Sequence, residues 1–177
     1  MLVTISVATP VLGAACTRSS DGAAQKADPS DPLGATQTVN EGAVRFRVPA
    51  TWTRTPMATV VVVLVSPESV ASFRPNVNLM IEPYDADVGA LAGDNERTIT
   101  ERGGHVVSRT PAKAGVRDAF DLETRWPSKA PPVMTMQRYV VADGKAYVLT
   151  CTIALDRNES VRPLCRAILE NLSNTFG

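Results

Sequence analysis

The chain has 177 residues, 44% of them hydrophobic and 20% charged, with 18 Lys and Arg balanced by 18 Asp and Glu and a single histidine. That make-up predicts one globular domain with one core, and it excludes the clustered basic excess of a nucleic-acid-binding protein. The longest apolar run inside the body, "MATVVVVLV" at 57–65, is well below the ~18 residues that a membrane-spanning helix needs.

Residues 1–15 are apolar and mostly small, and end Leu12-Gly13-Ala14-Ala15 before Cys16. A signal peptidase groove admits only small side chains beside the scissile bond, so 1–15 reads as a signal peptide. The cysteine that follows makes the segment similar to a bacterial lipoprotein signal. The resemblance implies a diacylglycerol on the Cys16 thiol and cleavage that leaves Cys16 as the first residue, anchored to the cell membrane on its extracytoplasmic face. Two features depart from that pattern. Leu12 stands one residue farther from the cysteine, and no Lys or Arg precedes Arg18. A natural start farther upstream is the expected reason. A plain secretion signal, or an unordered tail with an incidental cysteine, are the other readings of the same residues.

From Thr17 the chain turns polar, as in "SSDGAAQKADPSDPLG", and offers almost no large apolar group to bury. Such a composition does not recover its ordering entropy, so 16–37 is expected to be a flexible tether and 38–177 the folded domain.

Within that domain, Val44-Arg45-Phe46-Arg47-Val48 alternates at period two and predicts a strand, halted by Pro49 before Trp52. The run 57–65 is rich in β-branched residues and reads as a strand buried on both faces. "PNVNLMIEPY" predicts a third strand with Val77, Leu79 and Ile81 on one face and Asn78, Met80 and Glu82 on the other. A helix over 87–102 would turn Val88, Leu91, Ala92 and Ile99 inward and stop at Gly103-Gly104. A short strand is expected at 105–109, and "FDLETRW" alternates as another. "VMTMQRYVV" and "KAYVLTCTI" flank Asp143-Gly144, the strongest short hairpin signal. Finally, Val161, Leu164, Cys165, Ile168, Leu169 and Leu172 fall on one helical face, with Ser160 as N-cap and Pro163 in the first turn. Strands outnumber helices, so the fold class is α+β: an antiparallel sheet of about six to seven strands flanked by helices.

The order of a "VPATW" turn at 48–52, a valine-rich run, "FRPNVN" at 73–78, a helix with an acidic centre and a closing hairpin with its helix resembles actinobacterial lipoproteins of the LpqN and LpqT type. These have the PsbP and Mog1-like fold. The resemblance covers about 38–176 and implies an antiparallel sheet between helices, a lipid anchor and a non-catalytic domain that acts by binding. It implies no catalytic residues and no cofactor.

Cys151 shares a strand face with Tyr147, Leu149 and Ile153, and Cys165 lies on the apolar face of the last helix. Both thiols therefore point into one layer. Export would permit a disulfide between them; two buried free thiols are the alternative.

The rest of the chain offers little chemistry. His105, the one candidate base, sits in "RGGHVV" at the mouth of a strand, and no serine lies in a Gly-x-Ser-x-Gly frame. Asp85-Ala86-Asp87 lacks the further ligands of a calcium loop, and Asp87 reads as a helix cap. Asp94 and Glu96 point to different faces of their helix. Trp52 reads as core, Trp126 as core or binding anchor, and Arg74 as a residue that holds a loop. The expected function is a cell-envelope lipoprotein binding an envelope protein or lipid, with no metal and no cofactor. An envelope hydrolase using His105 and a purely structural secreted protein are the alternatives.

Overall fold

A computed structural model describes residues 30–41, 43–57, 60–70, 72–127 and 129–174. In chain order these form β1 (Thr36–Glu41), β2 (Val44–Pro49), β3 (Thr53–Arg54), β4 (Val62–Val65), β5 (Asn76–Pro83), α1 (Val88–Glu101), β6 (His105–Ala114), β7 (Arg117–Trp126), β8 (Val133–Ala142), β9 (Lys145–Ala154), α2 (Asn158–Glu170) and β10 (Ser173–Asn174). The strands make a seven-stranded sheet ordered β3-β4-β5-β9-β8-β7-β6 and a three-stranded sheet ordered β1-β2-β10. Every pairing is antiparallel, as expected for the α+β class.

Alternation along the strands sorts side chains to two buried faces. On one, Leu122, Tyr139, Ala146 and Val148 meet Leu91 and Ile99 of α1. Burial there pushes the Tyr139 hydroxyl well above its ordinary pKa. On the other face, Val77, Leu79, Met134, Leu149 and Ile153 meet Ile168 and Leu169 of α2 together with Phe46 and Val48 of β2. The large sheet is thus sandwiched between α1 and a layer made of α2 and the small sheet.

Local chemistry sets the joints. Asp87 caps α1 by accepting from the Ala90 N–H at 2.9 Å, and Gly103 (φ 79°) ends the same helix. Asp143 (φ 51°) and Gly144 (φ 69°) supply the two left-handed residues of the β8–β9 hairpin turn. Gly104 is a matter of space, since a Cβ there would lie 2.7 Å from Ile99 Cγ2 and 3.0 Å from Trp126 Cζ3.

Four expectations are corrected. Only 62–65 of the valine-rich run forms a strand, and Met57 and Val61 are 55% and 41% exposed. The ladder to β5 begins at Val62↔Leu79, so β-propensity upstream of it has no facing layer to bury against. α2 begins at Asn158 after a 3-10 turn at Leu155–Arg157, so Ser160 is not its cap and Pro163 lies inside it. The carbonyl that Pro163 cannot pair belongs to Glu159, which is exposed to water at the helix start. β6 continues to Ala114, past the 105–109 expected; it is an edge strand, where Pro111 removes no ladder bond that the sheet needs. Finally, β1 starts at Thr36 and Leu33 is buried, so the folded body begins before residue 38. Cys16 and the expected signal peptide lie outside the described residues.

Two groups of charges are held inside. Arg138, 5% exposed, forms a two-pronged pair with Asp121 at 2.8 Å for both contacts, and donates to the Leu169 carbonyl at 2.8 Å and the Lys113 carbonyl at 3.1 Å. Glu123, 8% exposed, receives Arg162 and, at 3.4 Å, Arg166 from α2. Cys151 and Cys165 are joined as a disulfide between β9 and α2, with their Cα atoms 5.7 Å apart.

Two consequences are measurable by urea unfolding. Replacing both Cys151 and Cys165 by alanine removes a cross-link closing a short loop and is expected to cost about 3 kcal/mol. Gly104→Ala forces a methyl group into Ile99 and Trp126 and is expected to cost about 1–3 kcal/mol; an unchanged midpoint would show that the helix end has room to yield.

Candidate functional site

The β6–β7 hairpin turns through Gly115 (φ 61°), and its outer half stands beside the first turn of α1. Between them opens a cleft of about 670 Å³, lined by Asp87, Val88 and Gly89 on the helix side and by Pro111, Ala112, Lys113, Asp118, Ala119 and Phe120 on the hairpin side. That volume lies within the roughly 300–1,000 Å³ of small-ligand sites.

Its floor is apolar and its rim charged. Lys113 and Asp118 pair at 2.5 Å in solvent at the mouth. The Arg109 guanidinium lies 4.8 Å from the centroid of the Phe120 ring, donates to the Gly89 carbonyl at 2.9 Å and pairs with Glu96 at 3.5 Å. Gly89 makes the arrangement fit: a Cβ there would come 3.0 Å from Asp87 Oδ1 and 3.6 Å from Phe120 Cε2. The cleft thus presents an apolar floor between charged side chains. No serine, cysteine or histidine lines it.

The residues singled out from sequence lie elsewhere. His105 is exposed at the start of β6, opposite Arg125, and makes no side-chain hydrogen bond among the described residues. Trp52 is core. Trp126 packs half-buried against the α1 cluster, its indole N–H donating to Thr124 Oγ1 at 3.0 Å, with Lys129 over its ring at 4.9 Å. Arg74 holds its loop by donating to the Ser66 carbonyl at 2.8 Å. Asp94 and Glu96 are taken by Arg97 and Arg109. Among the described residues, no group of three His, Cys, Asp or Glu is placed to hold a metal ion. No helix among them is long and apolar enough to cross a membrane.

Sequence reasoning passed over the cleft. The signal for its hairpin was Gly115 within "AKAGVRDAF", and for its helix wall the pair Gly89 and Gly93, one turn apart and both facing Arg109.

No protein-family model matches the chain, and no curated protein is significantly similar in sequence. Solved structures are similar in fold. The cyanobacterial PsbP (CyanoP) of Synechocystis aligns at 12% identity and TM-score 0.60 over 78% of this chain and 92% of that one. The protein PA94 of Pseudomonas aeruginosa aligns at 12% identity and TM-score 0.59 over 80% and 99%. LpqN of Mycobacterium tuberculosis, involved in cell envelope biogenesis, aligns at 14% identity and TM-score 0.58 over 78% and 89%. The fold of this chain is therefore PsbP-like.

If Arg109 and Phe120 act as a stacked pair, a double-mutant cycle of Arg109→Met and Phe120→Leu should return a coupling of about 0.5–1 kcal/mol in urea unfolding. Additive losses would mean that the guanidinium is held by Gly89 and Glu96 alone.

Proposed function

We propose that this chain is a non-catalytic binding domain held at the extracytoplasmic face of the cell membrane through a lipidated Cys16. The cleft between α1 and the β6–β7 hairpin is its recognition site, and it takes an apolar portion of an envelope lipid or protein partner. The observation that carries this reading is the apolar cleft of about 670 Å³ with a charged rim. The small residues before Cys16, the polar composition after it and the likeness in fold to LpqN support the location. His105 has no carboxylate partner among the described residues and lies at the end of β6 away from the cleft, which favours binding over hydrolysis.

Mass spectrometry of the protein released from its native membranes tests the anchor. The expected first residue is Cys16 carrying a diacylglycerol and an N-acyl chain. A chain that still retains residues 1–15, or a Cys16 without lipid, would overturn the anchored reading.

A further inference from the structure

The outer half of the β6–β7 hairpin is one strand layer thick, and its two sides meet different surroundings. On the α1 side lies the cleft, where Ala112, Lys113, Asp118 and Ala119 belong to the wall. The buried contacts of α1, made by Leu91 and Ile99, are with Leu122, Tyr139, Ala146 and Val148, none of which is in that wall. On the α2 side the same strands are backed by packing. Ala114 and Ala119 are buried in one cluster with Ile168, Leu169 and Leu172, and Ala112 packs against it. A wall with open space in front of it is seated by the side chains that stand behind it.

A single buried side chain joins wall and helix. Arg138 Nη1 donates both to the Lys113 carbonyl in the wall, at 3.1 Å, and to the Leu169 carbonyl in the last turn of α2, at 2.8 Å. Asp121 fixes the rest of the fork through Nε and Nη2, at 2.8 Å for each contact. The two carbonyls therefore share one nitrogen. If Leu169 moves away, a donor of a buried guanidinium is left to find another acceptor, and the Lys113 carbonyl loses a partner held in a fixed direction.

The place of Leu169 is itself tied covalently. Cys165 stands one helical turn before it, and its bond to the equally buried Cys151 fixes this stretch of α2 to β9. Apolar packing and the Glu123 ion pairs hold the helix as well, but the sulfur bond requires a reaction with another molecule. As it forms, the two S–H bonds break and one S–S bond closes; two electrons and two protons pass to a disulfide oxidant, which leaves as a dithiol.

We propose that the Cys151–Cys165 bond sets the hairpin wall of the cleft through α2 and Arg138, with Arg138 as a positioning residue, so that the cleft takes its binding shape in the oxidised chain and loses it in the dithiol chain. The proposal rests on the cleft being the recognition site and adds its regulation: the chain becomes competent to bind once an oxidising compartment has closed the bond.

The test compares the full chain prepared as the dithiol with the same chain oxidised by glutathione disulfide. NMR relaxation dispersion reads motion on the microsecond-to-millisecond scale. The oxidised chain is expected to be quiet at 112–119 and 165–172. In the dithiol chain both segments should exchange at one shared rate with a minor state populated to about 1–10%, while β5 stays quiet. In the oxidised chain, Arg138→Met and Arg138→Lys should each mobilise 112–119 and leave 165–172 quiet. Lysine keeps the charge beside Asp121 without the planar fork, so a hairpin quieted again by lysine would make Arg138 a buried charge alone and overturn its positioning role. A quiet hairpin in the dithiol chain, or exchange there at a rate different from that of α2, would overturn the proposal. If the dithiol chain does not fold, the two Arg138 variants decide, because they retain the disulfide: a hairpin quiet in both sinks it. No ligand enters the measurement, so its failure leaves the cleft standing as recognition site, and a cleft that binds nothing leaves the link between bond and wall intact.

Discussion

The arginine at position 138 is the group on which the arrangement of layers depends. A guanidinium taken almost wholly out of water costs several kcal/mol unless its donors are met in good geometry. Here Asp121 of β7 meets two of them, the Leu169 carbonyl in the last turn of α2 meets a third direction, and the Lys113 carbonyl of β6 a fourth. The planar fork of arginine is what lets one side chain serve a strand on either side of β7 and a helix end at once. The Leu169 carbonyl accepts the Leu172 N–H at 3.1 Å and the Arg138 guanidinium together, at a helix C-terminus where the macrodipole also favours a cation. Moving α2 along the sheet would strand a buried charge.

α2 is held at two further places. Arg162 from its first half and Arg166 from its second, one turn apart, converge on the buried carboxylate of Glu123, and between them Cys165 is bonded to Cys151 of β9. The same network reaches the cleft. Arg138 grips the β6 backbone at Lys113 from the α2 side, and Arg109, on the opposite face of β6, grips α1 at Gly89. The hairpin that forms one wall of the cleft is clamped from both faces of the sheet, so the cleft walls are held in place by the fold itself. Preorganisation of this kind lowers the ordering cost that a ligand or partner would otherwise meet.

How much of this was legible in the sequence follows from which residues carry a periodic duty. Val77, Leu79 and Ile81, the Asp143-Gly144 turn and the Leu91, Ala92 and Ile99 stripe announce themselves because burial repeats every second residue, or every third and fourth, along a single element. The pairing of Cys151 with Cys165 was reachable for the same reason, since each lies on the apolar face of its own element. β1 and β10 were not. Residues 36–41 alternate weakly and 173–174 are too few to show a period; both become strands only because β2 offers them an edge. Arg138 reads in sequence as one more polar residue, and only the meeting of three strands and a helix makes it structural. The cleft was hidden more deeply still, because it is lined from a helix start and a hairpin end, where alternation gives way to turn chemistry.

That division also explains how solved structures at 12–14% identity share the fold. Many side chains satisfy a demand for apolar, inward-facing residues at fixed strand positions and for a helix across each face, so the scaffold tolerates wide change in sequence. The residues at the cleft mouth answer to no such demand. Lys113 and Asp118 face each other in solvent, and Val116 stands exposed at a hairpin tip. Changing these three leaves the register and both cores untouched while altering the shape and charge of the cleft mouth. The chain is thus least constrained where its pattern is least regular: Arg138 and Arg109 hold the hairpin to both faces of the fold while its tip is free to vary.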